Sequence, residues 1–234
     1  FKQDALSAFR LGYLGLPERA RAEQLAWACA RRIVKLLPQN DDMPEELRSL
    51  RASLASTYYG NFSVFRSAPD TWAIDQLFPV MPIHRLNEEP DQLGSIADLT
   101  CDSDGKLARF IEGGKSKTLL ELHTPQEGEP YLLGLFLAGA YQEVMGNLHN
   151  LFGSTNAVHI RLAPGGGYRL DHVVRGDTNA EVLQAMEHDP DLMLERLRLA
   201  SEEAIREGRL AVSDARLLIS HVSSSLQQST YLQA

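Results

Sequence analysis

The sequence predicts an α+β fold in which helical segments flank a central, mostly β segment. Three observations lead to this prediction. Apolar residues recur at helical spacing over the first 57 residues, and they alternate with polar residues through much of the next hundred. Beyond residue 175, helix-capping residues again precede apolar stretches. We therefore predict a helical-bundle segment (1–57), a β-domain (58–175) and a C-terminal helical region (176–234).

The first segment is predicted to form short antiparallel helices. Ala5, Leu6 and Phe9 fall on one helical face. Pro17 suits the first turn of a second helix, and Pro38 is predicted to end it. Short antiparallel helices pack most simply as a small bundle.

The central segment is predicted to contain several short strands. Residues 58–65 alternate and are rich in aromatic side chains, which favours a strand. Residues 131–140 form the longest apolar run and are predicted to be a buried strand. The turn residues at 164–167 separate two alternating stretches, 156–162 and 168–174, which is typical of a β-hairpin.

The last segment carries helix-start signals at three places. Asp177 or Thr178 is predicted to cap the first helix, and Asp189 precedes the second, whose first turn suits Pro190. Ser213 is predicted to cap the third helix of this region. The three helices together make the C-terminal helical region.

Composition and charge exclude several classes of protein. The 31 acidic and 23 basic residues leave a net charge of -8, which offers no electrostatic case for binding nucleic acid or an anionic membrane. No apolar run approaches the roughly 20 residues of a bilayer span. The two cysteines do not make a disulfide framework, so we expect a reducing, cytoplasmic environment. Because Phe1 already opens an amphipathic helix, we expect a piece of a longer protein, with a processed start as the alternative.

The first candidate site is the polar stretch at 100–105, which follows a predicted strand at 95–100. It places Cys101, Asp102 and Asp104 in a loop at a strand end, where binding groups are common. The alternative is a polar turn with Cys101 as a small core residue. Calcium is disfavoured because the glutamate that ends a calcium-binding loop is missing.

The second candidate is Tyr141, at the predicted start of a helix that Gly153 could end. A helix N-terminus favours phosphate, although a tyrosine there can also simply pack against a core. Tyr59 and Asn61 lie in an aromatic stretch for which packing is the simpler interpretation. His149 is interpreted as a helix-face or capping residue, and none of the lysines is predicted to form a Schiff base.

Six collinear stretches together resemble the biosynthetic, pyridoxal-phosphate-dependent arginine decarboxylases. They are residues 9–14, 21–25, 61–65, 74–80, 98–105 and 139–153. The match runs from near residue 5 to near residue 190 and resumes at 230–232, which looks like the C-terminal end of that family.

The resemblance implies an alanine-racemase-type architecture. In such enzymes a β/α barrel carries the cofactor, and a β-domain, built as a barrel or sandwich, follows it. The arginine decarboxylases add an inserted helical bundle and C-terminal helices. The three predicted segments correspond to the bundle, the β-domain and the C-terminal helices, so the β/α barrel is absent from this sequence.

The resemblance also implies roles for individual residues. Cys101 would lie near the cofactor of the partner subunit and protonate the carbon that has lost CO2. Asp102, assisted by Asp104, would bind the guanidinium end of the substrate. Tyr141 would contact the phosphate or ring of the cofactor. Tyr59 and Asn61 would lie in the segment that reads the substrate tail, although Gly60 departs from the β-branched residue usual there.

The implied reaction converts L-arginine to agmatine and CO2 in polyamine (spermidine) synthesis. Pyridoxal 5'-phosphate is the implied cofactor, with its lysine anchor outside this chain, so the chain alone is expected to be inactive. Magnesium is a further family expectation. The implied assembly is a homo-oligomer, a dimer at minimum and a dimer of dimers by resemblance. Two alternatives stay open: a decarboxylase of ornithine, lysine or diaminopimelate, and a non-catalytic assembly or regulatory module.

Overall fold

The computed structural model describes residues 1–36 and 44–233. Its N-terminal part folds into three helices: α1 (Lys2–Arg10), α2 (Leu16–Lys35) and α3 (Glu45–Ser53). Pro17 lies in the first turn of α2, where the missing N–H of proline leaves no helical hydrogen bond unmade. Pro38, which was predicted to end this helix, lies outside the described residues.

Helices α1 and α2 pack against each other, and α3 contacts α2. Two cations lie over aromatic rings in this region. The Lys2 ammonium is 3.9 Å from the centre of the Trp27 ring, and the Arg19 guanidinium is 4.8 Å from that of Phe9. Such contacts stabilise partly exposed helices by about 0.5–1 kcal/mol each. The predicted N-terminal helices are therefore confirmed.

The central part consists of short strands interrupted by short helices. These elements are β1 (Ser56–Tyr59), α4 (Val64–Ser67), α5 (Pro69–Ala73), β2 (Val80–Pro82), β3 (Gln92–Ala97), β4 (Lys106–Leu107), β5 (Phe110–Glu112), β6 (Lys115–Lys117), β7 (Leu120–Leu122), β8 (Leu133–Leu135), α6 (Ala140–Met145), β9 (Ala157–Leu162) and β10 (Tyr168–Val174). Strand β3 pairs parallel with β1 and antiparallel with β4 and β7. The remaining strands form the two-stranded pairs β2–β8, β5–β6 and β9–β10. Within the described ranges the strands do not close into a barrel.

A compact apolar cluster lies between the four-stranded sheet and α4. Its buried members are Val64, Ile96, Leu107, Phe110, Leu120 and Leu122. Val64 and Leu122 have no exposed surface at all. The cluster thus anchors the end of β3, from which the first candidate loop begins, to the first turn of α4.

Two predicted strands are shorter than the sequence indicated. The run at 131–140 forms a strand only over Leu133–Leu135, which is half-buried and pairs with β2 alone. Leu137 is 87% exposed and has a φ of 61°, which a continuous strand cannot contain. The prediction of a buried strand over the whole run was therefore wrong. A buried strand needs a neighbouring strand on each side, and apolar composition does not show that both are present.

The strand predicted at 58–65 ends at Tyr59. Its second half turns into helix α4, and Ser63 caps that helix by accepting the Arg66 N–H at its side-chain oxygen. Serine and the following apolar pair therefore begin a helix here. Alternation over a few residues did not distinguish this turn from a strand.

The predicted hairpin is confirmed. Strands β9 and β10 pair antiparallel, and the chain reverses through Ala163, whose N–H donates to the oxygen of Gly167. Residues 165–167 are glycines with positive φ, which a side chain would disfavour. Both faces of the ribbon are largely exposed and carry apolar side chains such as Ile160 and Leu170.

The C-terminal part contains α7 (Asn179–Ala185), α8 (Pro190–Arg206) and α9 (Val212–Leu226). Of the two residues predicted to cap α7, Thr178 rather than Asp177 occupies the N-cap position and forms a capping box with Glu181. Asp189 caps α8 as predicted. Ser213 does not cap α9, because Ala211 occupies the N-cap position and Ser213 lies inside the first turn. None of the helices built from the described residues has the length and apolarity of a membrane span.

Candidate active site

The loop that carries Cys101 is anchored by a buried aspartate at its base. Asp98 is only 2% exposed. One carboxylate oxygen accepts the Val64 N–H at 2.8 Å, and the other accepts the N–H and the hydroxyl of Thr100 at 2.8 and 2.7 Å. A buried carboxylate needs such donors to offset its lost hydration. Asp98 therefore joins the loop to α4 and fixes where the following residues project.

A glycine closes the same loop. The Gly105 oxygen accepts the Asp98 N–H at 2.8 Å. A Cβ added to Gly105 would lie 2.2 Å from the Asp98 Oδ1 and 2.4 Å from the Thr100 Oγ1. No other residue fits that position without breaking the anchor at Asp98. The geometry of the 98–105 loop thus requires glycine here through close approach.

Cys101 lies exposed on this loop, beside an asparagine from a distant turn. The side-chain nitrogen of Asn150 is 3.5 Å from the Cys101 sulfur, and the side-chain oxygen of Asn150 is 3.9 Å from it. These distances suit weak hydrogen bonds to sulfur. The thiol is therefore reachable from solvent and is contacted by a polar amide.

Asp102 and Asp104 occupy the tip of the loop. One oxygen of Asp102 accepts the Asp104 N–H at 2.9 Å, and the other lies 3.5 Å from the Nε2 of His149. That nitrogen is buried and has no hydrogen bond among the described residues, so the Asp102 carboxylate forms an ion pair with it when the imidazole is protonated. The imidazole ring packs on Phe65, with ring centres 4.2 Å apart.

The turn that supplies His149 and Asn150 differs from the predicted helix. Helix α6 ends at Met145, and His149–Leu151 form a separate, irregular 3₁₀ turn. Asn150 (φ 54°) and Leu151 (φ 62°) both have left-handed backbone conformations. Asparagine tolerates that conformation, whereas leucine does so only where its surroundings hold it.

The C-terminal tail holds this turn. The Gly153 N–H donates to the hydroxyl of Thr230 at 3.0 Å, and the Tyr231 hydroxyl donates to the Gly153 oxygen at 2.8 Å. The Tyr231 ring stacks on Phe152 with ring centres 5.3 Å apart. Burial raises the pKa of Tyr231 to about 12, so the hydroxyl remains protonated and available as a donor.

Tyr59 and Asn61 have different surroundings. Tyr59 is 77% exposed and borders a cleft of about 590 Å³ that Tyr58 and Tyr131 also line. Asn61 pairs with the backbone of Leu232, donating to its oxygen and accepting its N–H, both at 3.0 Å. Its side-chain amide is thus engaged with the C-terminal tail.

Tyr141 lies in the first turn of α6 and is 75% exposed. The next residue, Gln142, is buried, and its amide contacts Asp70 by accepting the Asp70 N–H and donating to the carboxylate. Within the described residues no hydrogen bond joins Tyr141 to Cys101. The structure therefore brings Cys101 and Asp102 together with His149 and Asn150, and it leaves Tyr141, Tyr59 and Asn61 outside that cluster of contacts.

The groups present suit one side of a site for pyridoxal phosphate. Cys101 offers a thiol. The exposed phenol of Tyr141 can contact a phosphate, and the carboxylate of Asp102 can contact a substrate cation. The lysines whose partners are defined are engaged elsewhere: Lys117 pairs with two glutamates, and Lys2 lies over Trp27. The donor set fits contacts to the cofactor and substrate, whereas none of these contacts places a lysine where it could anchor the cofactor. Residues 1–36 and 44–233 contain no cluster of acidic, cysteine and histidine side chains suited to a metal ion.

Sequence reasoning missed the pairing of Asn150 with Cys101 and of His149 with Asp102. The two members of each pair lie 49 and 47 positions apart, so no local pattern could reveal them. The available signals were that polar His149 and Asn150 interrupt an apolar stretch, and that this stretch and the 98–105 loop both resemble the arginine decarboxylases. The tail contacts of Tyr231 were equally unpredictable, because Gly153 precedes it by 78 positions.

Comparisons with known proteins show what the chain is similar to. Residues 1–51 match the arginine decarboxylase helical bundle domain, and residues 180–232 match the arginine decarboxylase C-terminal helical extension. The biosynthetic arginine decarboxylases of Prochlorococcus marinus (strain MIT 9313) and Synechococcus sp. (strain RCC307) are each 70% identical over 233 residues. Those matches cover 100% of this chain and 36% of each relative.

A solved structure shares the fold. The crystal structure of the biosynthetic arginine decarboxylase from Campylobacter jejuni superposes with a TM-score of 0.79 at 31% sequence identity. The superposition covers 99% of this chain and 35% of that one. The chain thus spans little more than a third of the length of the relatives that it matches. On these findings the chain is similar to biosynthetic arginine decarboxylases along its whole length and matches about a third of theirs.

Proposed function

We propose that this chain forms part of an arginine decarboxylase that converts L-arginine to agmatine and CO2. In this proposal it supplies interface residues to an active site that it shares with a cofactor-binding barrel. The observation that carries the proposal is the anchored loop that presents an exposed Cys101 thiol beside the Asp102 carboxylate. The 70% identity to enzymes named for this reaction supports the choice of substrate.

Three residues of the loop have a chemical task in this reaction. Pyridoxal phosphate, when bound, supplies the electron sink that makes loss of CO2 feasible. The Cys101 thiol gives its proton to the carbon that has lost CO2, and the sulfur keeps the bonding electron pair. The Asp102 carboxylate binds the guanidinium, whose planar fork suits two carboxylate oxygens. Asp104, next to it at the loop tip, adds negative charge.

The cofactor would also be contacted by Tyr141, whose exposed phenol can donate to the phosphate. Tyr59 borders the cleft beside β1 and is proposed to line the substrate path. Asn61 is proposed to act near the substrate tail by holding Leu232, with which its amide pairs. No residue is assigned to magnesium. The free thiols of Cys29 and Cys101 support a cytoplasmic location.

We further propose a homo-oligomer, a dimer at minimum, in which Cys101 and Asp102 complete the partner's site. The exposed area of 16623 Å² is much larger than the approximately 10,500 Å² typical of a compact monomer of this size. Many large apolar side chains on β9 and β10 contribute to it. Surface of this kind is usual where the rest of a longer chain or another subunit packs.

A chimeric enzyme tests the reaction. The matching third of the Prochlorococcus marinus MIT 9313 enzyme is replaced by this chain, and CO2 release is measured with arginine, ornithine, lysine and diaminopimelate. We expect activity with arginine in preference to the other three. We expect Cys101→Ala to lower kcat by about 100-fold or more. We expect Asp102→Asn to raise the KM for arginine by about tenfold, because a charge-assisted contact is lost.

The exposed Asp214→Asn variant is the control, and it should change neither constant. Unchanged decarboxylation in both Cys101→Ala and Asp102→Asn would contradict the proposal. Mixing the Cys101→Ala chimera with a second inactive chimera, which lacks the cofactor-anchoring lysine of the relative, tests the shared site. Activity should return on mixing. Binding without recovery would instead favour a non-catalytic assembly module.

A further inference from the structure

The Cys101 thiol has one polar side chain placed against it. The Asn150 amide nitrogen lies 3.5 Å from the sulfur, nearer than the amide oxygen at 3.9 Å. The closer group is a hydrogen-bond donor, and a donated N–H favours the charged form of the group that accepts it. Asn150 is therefore placed to support negative charge on the Cys101 sulfur.

The backbone that presents Asn150 is held away from its ordinary conformation. Asn150 and Leu151 have consecutive left-handed φ angles of 54° and 62°. For leucine this conformation is unfavourable, so it persists only where neighbouring contacts impose it. Strain of this kind is often found where a side chain must point in one direction for function.

Contacts on both sides impose the turn. Before it, the Asn147 N–H donates to the Phe65 oxygen at 3.1 Å, and the Asn147 side chain accepts the His149 N–H at 2.9 Å. After it, Gly153 is held by the hydroxyls of Thr230 and Tyr231. The C-terminal tail and α4 together therefore determine where the Asn150 amide points.

We propose that Asn150 is a positioning residue for Cys101. Its amide supports the Cys101 sulfur after the thiol has given up its proton. This role rests on the proposed function, in which the S–H bond breaks and the new C–H bond forms. The sulfur then carries a negative charge until it is reprotonated. An amide N–H donated to it stabilises that state and holds the side chain in place between turnovers.

Alkylation of the 234-residue chain tests the proposal without cofactor or substrate. Iodoacetamide reacts with thiolates, and peptide mass spectrometry separates Cys101 from Cys29, which is exposed on α2 and serves as the internal reference. Rates are measured at about pH 7 and about pH 10, since a free thiol ionises near pH 8.5. The rate at pH 7 divided by the rate at pH 10 cancels differences in access. This ratio rises with the stability of the thiolate.

Asn150→Gly is the informative variant, because glycine keeps the left-handed backbone and removes only the amide. We expect the rate ratio of Cys101 to fall by about threefold, the effect of losing one modest hydrogen bond. Asn150→Asp keeps the side-chain shape but replaces the N–H donor with a charged oxygen that repels a thiolate, so we expect it to lower the ratio further than the glycine variant does. Asn87→Gly changes an exposed turn asparagine elsewhere and should leave both cysteines unaffected.

An unchanged ratio for Cys101 in both Asn150 variants would overturn the proposal, provided that circular dichroism shows both variants folded. Should the glycine variant not fold, Asn150→Ala, which also lacks the amide and adds no charge, decides in its place. In the chimera, Asn150→Gly should lower kcat and leave the KM for arginine unchanged. A normal alkylation effect with an inactive parent chimera would reject the proposed function and leave the thiol–amide pairing intact.

Discussion

Asp98 and Gly105 show how two residues without a chemical role determine the candidate site. The buried carboxylate of Asp98 takes donors from α4 and from Thr100. Gly105 has to lack a side chain because that carboxylate fills the space beside it. Without this anchor, Cys101 and Asp102 would lie on an ordinary exposed loop with no fixed direction.

Gly105→Ala should therefore destabilise the folded protein. The new Cβ would lie 2.2 Å from the Asp98 Oδ1, so the carboxylate or the loop has to move. We expect a loss of about 1–3 kcal/mol in the free energy of unfolding, as measured by urea denaturation. The same change should weaken the contact between Cys101 and Asn150 and alter the alkylation rate of Cys101.

Gly15→Ala is the matched control, because its Cβ would lie close only to the flexible end of the Glu18 side chain, at 2.6 Å, and at an ordinary 3.6 Å from the Pro17 ring. We expect this control to cost less than about 1 kcal/mol. Equal losses in the two variants would show that the close approach at Gly105 is unimportant.

Helix α7 illustrates the scale of a single element. Its first turn is stabilised by the reciprocal contacts of Thr178 and Glu181, and Arg175 adds an ion pair to the same glutamate. Hydrogen bonds from the backbone and hydroxyl of Thr178, followed by the one from Arg175, lower the pKa of Glu181 to about 2. This cap also fixes the chain just after Asp177, which accepts the Ser154 N–H beside the Asn150 turn.

Because of the capping box, we expect the stability of the protein to fall as the pH is lowered in the acid range. Because the pKa of Glu181 is lower in the folded protein than its ordinary value of 4.5, the ionised carboxylate favours folding. This contribution is complete above about pH 4.5 and is lost as the pH falls towards 2. Glu181→Gln should remove that part of the acid dependence in urea midpoints measured from pH 6 to pH 2.5.

Glu203→Gln is the control for this experiment, because it changes an exposed glutamate of α8. It should leave the pH profile of the parent protein in place. A parent profile that is retained in Glu181→Gln would show that the cap does not contribute in solution.

At the scale of the whole molecule, the C-terminal tail joins parts of the chain that are far apart in sequence. Tyr231 is 9% exposed and contacts Gly153, while Leu232 pairs with Asn61 across 171 positions. The last residues of the described chain thus close the structure around the candidate site. Both the Asn150 turn and the segment after β1 depend on them.

The contacts of the C-terminal tail should stabilise the fold less in strong alkali. Burial raises the pKa of Tyr231 from 10.0 to about 12, so the protonated phenol favours the folded state. Its contribution is complete below about pH 10 and is lost as the pH rises to about 12. Tyr231→Phe keeps the ring on Phe152 but should cost about 1 kcal/mol at neutral pH and remove this alkaline loss.

Denaturant midpoints at pH 8 to pH 12 measure both effects. Tyr168→Phe, which alters a 70% exposed tyrosine of β10, should leave the profile as it is in the parent protein. If Tyr231→Phe retained the parent profile between pH 10 and pH 12, the tail phenol would not be coupled to folding.

The sequence by itself determined the local features of this protein. Thr178 and Asp189 mark helix starts, and the glycines at 165–167 mark a hairpin, because caps and turns depend on residues within a few positions. It also placed Cys101 and Asp102 on a loop at the end of a strand. The resemblance to the arginine decarboxylases, read from six short stretches, pointed to the family that the comparisons then supported.

Only the tertiary structure decided which residues meet at the candidate site. The contacts of Cys101 with Asn150 and of Gly153 with Tyr231 each join distant positions. Only three residues of the long apolar run around β8 form a strand. A strand needs a neighbouring strand to pair with, and the sequence pattern does not show whether one is present. Long-range contacts depend on how all elements pack together, and a single sequence records local preference rather than that packing.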